Sequence, residues 1–259
     1  FFDTMGAMGV CYCEVCTRQF QEAHGLAIPR EEKDPNWGIY GQFRHARAFR
    51  MLERIGQFIA ERRPGAKVGF NQIGTVRWPE ALPAGLSCIT LDYATMTPQS
   101  LQASACAAFG ATADRPADVM STIFNQGWGD WTPRPLTALE QFVVPVWARN
   151  CLPVLGDRLH PANRLDPISV RAMRFVGKLR ERVARQAPPG DACLAPDFLV
   201  LHGARQIHGN DRALFARDKA GMKPILGAHR LLLDAGANFC IVPEYNLARH
   251  LQAGTVLIV

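Results

Sequence analysis

The sequence LPVLGD at residues 152–157 is a short apolar run that ends on a carboxylate, and this pattern recurs along the chain. The other runs occupy residues 1–3, 67–71, 87–92 and 119–125, and they end on Asp3, Asn71, Asp92 and Asn125. Amphipathic stretches with helical spacing follow several runs, at residues 37–63, 136–150 and 167–185. Asp166 is expected to cap the last of these helices. Strands that alternate with helices in this way predict βαβ units and a parallel sheet.

The polar residue at the end of each predicted strand is typical of a sheet with a site at its carboxyl edge. Catalytic groups of a (β/α)₈ barrel project from the C-terminal ends of its strands, and doubly wound sheets also bind ligands there. A glycine-rich phosphate loop follows none of these strands, which disfavours a nucleotide-binding sheet. We therefore predict an α/β protein in which residues 1–190 form the C-terminal part, about strands 4–8, of a TIM barrel.

The pattern changes after the sequence PPG at residues 188–190, which we interpret as a linker. Apolar runs at 198–201, 239–242 and 256–259 accompany a helical pattern at 222–235, and Gly236 closes that helix. These elements predict the start of a second α/β domain over residues 191–259.

The composition excludes several classes of function. The 259 residues carry a net charge of +6 and are 48% apolar, which suits a globular protein with a sizeable core. No apolar run approaches the roughly 18 residues of a membrane span, and no signal peptide is visible, so we expect no membrane partner and favour a cytoplasmic location. No nucleic-acid motif accompanies the arginines between residues 44 and 63, so no nucleic-acid partner is expected. The chain opens without Met and ends inside an apolar run, which predicts a piece of a longer protein.

Three of the eight cysteines lie within six residues, in the sequence CYCEVC at positions 11–16. Thiolates bind Zn²⁺ tetrahedrally at about 2.3 Å, and this spacing lets one loop carry three of the ligands. We therefore predict a structural zinc on Cys11, Cys13 and Cys16, with a fourth ligand from outside this fragment. Redox chemistry and an accidental cysteine-rich loop remain alternatives.

Asp3 followed by the CYCEVC loop resembles the strand-4 region of glycoside hydrolase family 42. In that family a catalytic acid/base at the end of strand 4 precedes a CYCxxC zinc loop. The runs WGDW at 128–131 and GDRLHP at 156–161 resemble a related group, the hypothetical glycosyl hydrolases joined to a β-galactosidase-type trimerisation domain. Residues 226–259 resemble the start of that trimerisation domain, which implies a flavodoxin-like or amidotransferase-like fold for residues 191–259. The resemblance implies a carbohydrate substrate and a homo-oligomer, either a trimer or a dimer.

The sequence also departs from family 42 at two positions that matter for catalysis. Family 42 enzymes carry Asn-Glu where this chain has Phe2-Asp3, and residues 124–126 offer Phe-Asn-Gln in place of the strand-7 nucleophilic Glu. The ending Phe-Phe-Asp looks more like the strand-4 Asp nucleophile of the α-L-fucosidases in family 29. The β-galactosidase activity therefore does not carry over to this chain.

Glycoside hydrolysis generally needs two carboxyl groups that flank the scissile bond. The candidate catalytic carboxylates are Asp3, Asp92 and Asp157. The candidate substrate-binding residues are Asn71, Asn125, Trp128, Asp130, Trp131 and His160. Each has a structural alternative, because a strand-end Asp can cap a loop, a Trp pair can fill a core, and a His beside Pro161 can serve the local turn.

Two hypotheses from different classes follow from these patterns. The first is a glycoside hydrolase with paired carboxylates at the strand ends and a structural zinc beside them. The second is a catalytically inert carbohydrate-binding or assembly protein on the same scaffold. Under either hypothesis, residues 191–259 are expected to serve self-association rather than catalysis. A metal-dependent hydrolase of another substrate would need an open position on the metal.

Overall fold

The computed structural model describes residues 2, 10–31, 33–71, 79–92, 99–125, 128, 130–158, 160–186, 195–204 and 222–259. Within these ranges the helices are α1 (Glu14–His24), α2 (Trp37–Arg62), α3 (Gln99–Gly110), α4 (Leu136–Trp147), α5 (Pro167–Gln186), α6 (Met222–Asp234) and α7 (Leu247–His250). The strands are β1 (Gly69–Asn71), β2 (Cys88–Asp92), β3 (Ala117–Thr122), β4 (Leu152–Gly156), β5 (Phe198–His202), β6 (Phe239–Pro243) and β7 (Val256–Ile258). None of the described helices combines the length and apolar character that crossing a membrane requires.

The first sheet has the order β1-β2-β3-β4, and all its strands run parallel. Phe2 extends this sheet beyond β1: its N–H donates to the carbonyl of Gly69 at 3.0 Å, and its carbonyl accepts from the N–H of Asn71 at 2.9 Å. Consecutive strands are therefore spatial neighbours, and the helices α3 and α4 join β2 to β3 and β3 to β4. The prediction of a parallel α/β protein is confirmed, and closure into a barrel stays a prediction.

The second sheet has the order β6-β5-β7, also parallel, with β5 between its two partners. This is the order of the first three strands of a flavodoxin-like sheet, in which the first strand lies centrally. The division of the chain at residue 190 and the role of residues 191–259 in self-association stay predictions.

Helix α3 joins the two sheets into one core. Its residues Ala103, Ala107 and Phe109 are fully buried, and they pack in one cluster with Val119 of the first sheet and Ile241 of the second. The sequence pattern does not predict α3, because a helix that is buried on all sides lacks the polar stripe by which amphipathic helices are recognised.

Two polar contacts strengthen the joint between α3 and the second sheet. Just after α3, the hydroxyl of Thr112 donates to the carbonyl of Ile241 at 2.6 Å. Arg149, beyond the end of α4, donates from Nη1 to the carbonyl of Phe239 at 2.5 Å. Hydrogen bonds of this kind satisfy buried carbonyls and hold the second sheet in register against the helix layer.

The two faces of the first sheet differ in polarity. Ile89, Leu91 and Val119 face the helices and are almost fully buried. The opposite face carries a polar row, because the parallel register aligns Asn71 with Thr90 and Thr90 with Asp118. The hydroxyl of Thr90 donates to Asp118 Oδ2 at 3.1 Å, while burial raises the pKa of Asp118 to about 6.

The raised pKa of Asp118 predicts a stabilising substitution. The folded chain binds the proton of Asp118 more tightly than the unfolded chain, so the free energy of unfolding falls as pH rises from about 4 to about 6. We expect Asp118→Asn, which keeps an acceptor for Thr90, to have the same free energy of unfolding as the wild type at pH 4. At pH 7.5 its free energy of unfolding should be about 1 to 2 kcal/mol higher than that of the wild type, which is less than the full pKa shift implies because Asp118 is partly solvated. Urea unfolding at both pH values measures this difference.

The variant must be compared with the wild type at each pH, because the titration of His229 changes the free energy of unfolding in the opposite direction to that of Asp118. Burial lowers the pKa of His229 to about 4, so its contribution to stability is lost as pH falls through about 6.5. That contribution is common to both proteins and cancels in the difference. Parallel stability curves for the two proteins between pH 4 and 7.5 would contradict the prediction.

Candidate functional site

The ends of β1 and β2 bring two of the predicted site residues together. Asn71 is buried at the end of β1, and its Nδ2 donates to Oδ2 of Asp92 at 3.2 Å. Asp92 closes β2 and is partly exposed. The amide fixes the orientation of the carboxylate, because a buried donor restricts the rotamers in which the carboxylate can accept. Asp3 lies outside the described residues, although its neighbour Phe2 runs beside β1.

The third strand ends earlier than its sequence pattern predicts. Residues 119–125 predict a strand that ends on Asn125, but β3 closes at Thr122, whose hydroxyl accepts from the N–H of Phe124 at 2.8 Å. This hydroxyl competes with the strand ladder for the backbone and turns the chain. Asn125 therefore lies on an antiparallel return, where its N–H donates to the carbonyl of Thr132 at 2.8 Å.

Arg134 holds this return against β3. Its side chain is 4% exposed and donates from Nε to the carbonyl of Phe124 at 3.0 Å and from Nη2 to the hydroxyl of Ser121 at 2.7 Å. The sequence gives no signal for this role, since an isolated arginine between two prolines resembles an ordinary loop residue.

Asp157 follows β4 directly and carries an unusual carboxylate. Its Oδ1 accepts from the backbone N–H of Arg158 at 2.8 Å, whereas its Oδ2 is buried and has no hydrogen-bond partner in the described structure. The guanidinium of Arg158 does not pair with it and lies 4.2 Å from the ring centroids of both Phe124 and Trp131. A buried acceptor without a partner costs about 1–3 kcal/mol, so Asp157 Oδ2 is suited to a hydroxyl donor from a ligand.

Trp128 and Trp131 stand at the same end of the sheet, and neither is a core residue. Their side chains are 49% and 55% exposed. The ring of Trp128 covers Gly156, while Trp131 packs against Phe124 at 6.1 Å between centroids. Half-exposed aromatic faces of this kind can stack on the apolar C–H patches of a sugar ring.

Asp130 and His160 both make hydrogen bonds to their own loops. Oδ1 of Asp130 accepts from the N–H of Thr132 at 2.9 Å, and Nδ1 of His160 accepts from the N–H of Ala162 at 3.0 Å. Both bonds link residues two positions apart and are typical of local turns. The other ring nitrogen of His160 is the atom through which this residue could contact a ligand.

The cysteine cluster lies at the N-terminus of α1. Sγ of Cys13, the N-cap residue, lies 3.4 Å from Sγ of Cys16, and the sulfurs of Cys11, Cys13 and Cys16 are all within 4.8 Å of one another. A tetrahedral zinc with bonds of about 2.3 Å would hold its sulfurs about 3.8 Å apart, so the three side chains fit a thiophilic metal. Cys13 is exposed and Cys16 is buried.

The helix start favours the thiolate that a metal requires. The pKa of the Cys13 thiol is lowered to about 7, mainly because the backbone N–H of Cys16 hydrogen-bonds to it. Hydrogen bonds with the side chains of Cys16 and Cys11 lower this pKa further. Burial instead raises the pKa of Cys16. Helix N-termini favour anionic groups in general, because their first N–H groups have no partner within the helix.

One face of α2 holds the cluster in place. The hydroxyl of Tyr40 donates to the carbonyl of Cys11 and accepts from its N–H, both at 3.0 Å. Phe20 of α1 packs edge-on against Tyr40 and Phe43, with centroids 5.4 and 5.2 Å away. The helical spacing of α2 predicts this apolar face, but it carries no sign that the face supports the cysteines.

Comparison with known proteins yields a likeness of fold. No protein-family model matches the chain. No curated protein matches it either. Among solved structures, α-L-fucosidase isoenzyme 2 from Paenibacillus thiaminolyticus is similar, with a TM-score of 0.60 and 22% identity over 90% of this chain and 34% of that one. This chain thus spans about a third of that fucosidase chain, and at this identity the likeness shows the fold alone.

The comparison bears on the two resemblances that the sequence suggests. The likeness to α-L-fucosidases is supported at the level of fold, since the similar structure is a glycoside hydrolase of that kind. The resemblance to family 42 finds no support in any family model.

The contact between Gly156 and Trp128 predicts a selective perturbation of this edge. A Cβ at residue 156 would lie 2.4 Å from Cη2 of Trp128, so the ring must move. We expect Gly156→Ala to shift tryptophan emission to the red and to increase acrylamide quenching, with a stability change below about 1 kcal/mol because the ring can swing into solvent. Fluorescence and urea unfolding measure the two effects.

The matched control is Gly177→Ala on α5, where an added Cβ meets nothing within 4 Å. The double variant Gly156→Ala with Trp128→Phe should lose the spectral change. Emission of Gly156→Ala identical to that of the wild type would refute the described position of Trp128.

Proposed function

We propose that this chain belongs to a glycoside hydrolase and that its substrate, an oligosaccharide or glycoside, binds at the C-terminal edge of the first sheet. The main support is Asp157, which has a buried carboxylate oxygen without a hydrogen-bond partner among the described residues; its chain neighbours Gly156 and Arg158 contact the half-exposed Trp128 and Trp131. Because β1 to β4 run parallel, the Asn71–Asp92 pair lies at the same edge. The fucosidase fold supports the class of reaction, and the particular sugar is open.

The proposed roles follow from the contacts of each carboxylate. Asp157 has one carboxylate oxygen without a partner in the described part of the chain and is proposed as the acid, base or nucleophile. Asp92, oriented by Asn71, can stabilise the positive charge that develops on the sugar ring. Asp3 is the third proposed carboxylate. The proposed substrate-binding residues are Asn71, Asn125, Trp128, Asp130, Trp131 and His160.

A catalytically inert carbohydrate-binding or assembly protein is the second candidate. It is favoured by residues 124–126, Phe-Asn-Gln, where the related glycosidases carry a glutamate, and by the turn bonds of Asp130 and His160. Self-association through residues 191–259, as a dimer or a trimer, is part of both candidates.

Hydrolysis of aryl glycosides tests the enzyme proposal. We expect release of nitrophenol from at least one member of a panel that includes the α-L-fucoside, and Asp157→Asn should lower kcat/KM by about 10² to 10⁴-fold because a proton donor or nucleophile is removed. Asp92→Asn should also lower kcat/KM. The control is Asp166→Asn, whose carboxylate caps α5 by accepting from Ile168 N–H at 2.9 Å.

The outcome separates the two candidates. If Asp157→Asn and Asp92→Asn both keep kcat/KM within twofold of the wild-type value, the proposed roles are wrong. Absence of hydrolysis together with glycan binding that Trp128→Ala and Trp131→Ala abolish would favour the binding protein.

We further propose that the metal of the cysteine cluster is a structural Zn²⁺. Three thiols whose sulfurs lie within 4.8 Å of one another, on a loop that Tyr40 holds, suit a closed structural site. Bound zinc would stabilise this loop at the start of α1. The fourth ligand is expected from outside these three residues.

Metal analysis of chain purified without chelators tests this proposal. We expect about one equivalent of zinc in the wild type and its loss in Cys13→Ser and Cys16→Ser, because thiolate donors provide most of the affinity. Cys88→Ser, on β2 and away from the cluster, is the matched control. Less than half an equivalent in the wild type would count against zinc.

A further inference from the structure

The side chain of Arg47 reaches the cysteine cluster from α2. Its Nη1 donates to Sγ of Cys16 at 2.6 Å. Its guanidinium carbon lies 5.8 Å from the ring centroid of Phe43, one turn earlier on the same helix. Arg47 also lies seven residues after Tyr40, which is two helical turns and therefore the same face. One face of α2 thus carries the ring of Phe43, the hydroxyl of Tyr40 and the guanidinium of Arg47 beside the cysteine cluster.

The charge of the cluster explains why a cation would be needed there. Three thiolates around a divalent metal carry a net charge of −1. Cys16 is only 5% exposed, so part of this charge lies where water cannot solvate it. Burying an unbalanced charge is costly unless an opposite charge or hydrogen-bond donors compensate it. Arg47 supplies one positive charge and an N–H donor at the buried sulfur, which offset this negative charge.

We propose that Arg47 is a positioning residue of the metal centre, which orients the sulfur of Cys16 and balances the charge of the three thiolates. This inference rests on the proposed thiolate metal site. Groups that hydrogen-bond to metal ligands commonly raise metal affinity 10- to 100-fold, because they fix the ligand in its binding orientation. The alternative is that Arg47 only packs α2 against α1.

Metal titration of the whole chain distinguishes these roles. Co²⁺ serves as the spectroscopic probe through its thiolate charge-transfer absorption, and Zn²⁺ affinity is measured by competition with a chromophoric chelator. We expect Arg47→Met, which keeps the bulk of the side chain, to weaken both metals by about 10- to 100-fold. Arg47→Lys, which keeps the charge but not the planar donor geometry, should lie between Arg47→Met and the wild type.

The control is Arg54→Met, an exposed arginine two turns further along α2. It should bind both metals as the wild type does. Thermal unfolding in the presence of a chelator provides the second measurement. If Arg47 acts on the metal centre, metal-free Arg47→Met unfolds within a degree or two of metal-free Arg54→Met, whereas the metal-loaded proteins differ.

Two results would overturn the proposal. One is Arg47→Met that binds Co²⁺ and Zn²⁺ within twofold of the wild type. The other is an Arg47→Met protein whose metal-free form is destabilised as much as its metal-loaded form, which is the behaviour of a packing residue. If the wild type itself shows no thiolate-to-cobalt absorption, the proposed metal site is wrong. If wild type and variant bind the metal equally, the site exists but Arg47 does not support it.

Discussion

The parallel hydrogen-bonded ladder from Phe2 through β4 is the constraint on which the candidate site depends. Every strand in it runs in the same direction, so the residues that end the strands arrive at one edge although they are far apart in sequence. Asn71 and Asp92 meet there within hydrogen-bond distance. The helices that join the strands cover the apolar face and leave the polar row of Asn71, Thr90 and Asp118 on the other.

The two sites differ in how they are supported. At the strand ends, Asn71 and Asp92 lie on strands, whereas the other side chains come from loops, where ring contacts and turn hydrogen bonds hold them. At the cysteine cluster, the side chains come from a helix start, and a second helix holds them through Tyr40 and Arg47. Sites on rigid elements are usually better pre-organised than sites on loops. By this criterion we expect the cysteine cluster to be the better pre-organised of the two and the loops at the strand ends to be the more adaptable.

Much of the fold is predictable from local pattern. The strands that end in polar residues, the cap of α5 by Asp166 and the left-handed Gly236 after α6 each depend on near neighbours in sequence. Helix α3 is not predictable in this way, because burial on all sides removes its polar stripe. The early end of β3 is not predictable in this way either, because the backbone N–H of Phe124 donates to the hydroxyl of Thr122 instead of continuing the strand ladder.

The candidate sites can likewise be predicted only where they depend on residues that are close in sequence. The spacing of the cysteines predicts that they come together, since a single turn carries all three. That Arg47 and Tyr40 support them depends on the packing of α1 against α2, which no local pattern specifies. Likewise, sequence places Asp157 after a strand, but the lack of a partner for its Oδ2 depends on Arg158 being held between two rings.

Helix α3 has a consequence for how the molecule unfolds. Its buried residues contribute to the packing of both sheets at once, so neither sheet can lose its core without exposing the apolar surface of the other. Cooperative units follow such shared cores rather than divisions of the sequence. We therefore expect the two sheets to unfold as one cooperative unit, and we expect a chain cut after residue 190 to expose the side of α3 that packs against the second sheet.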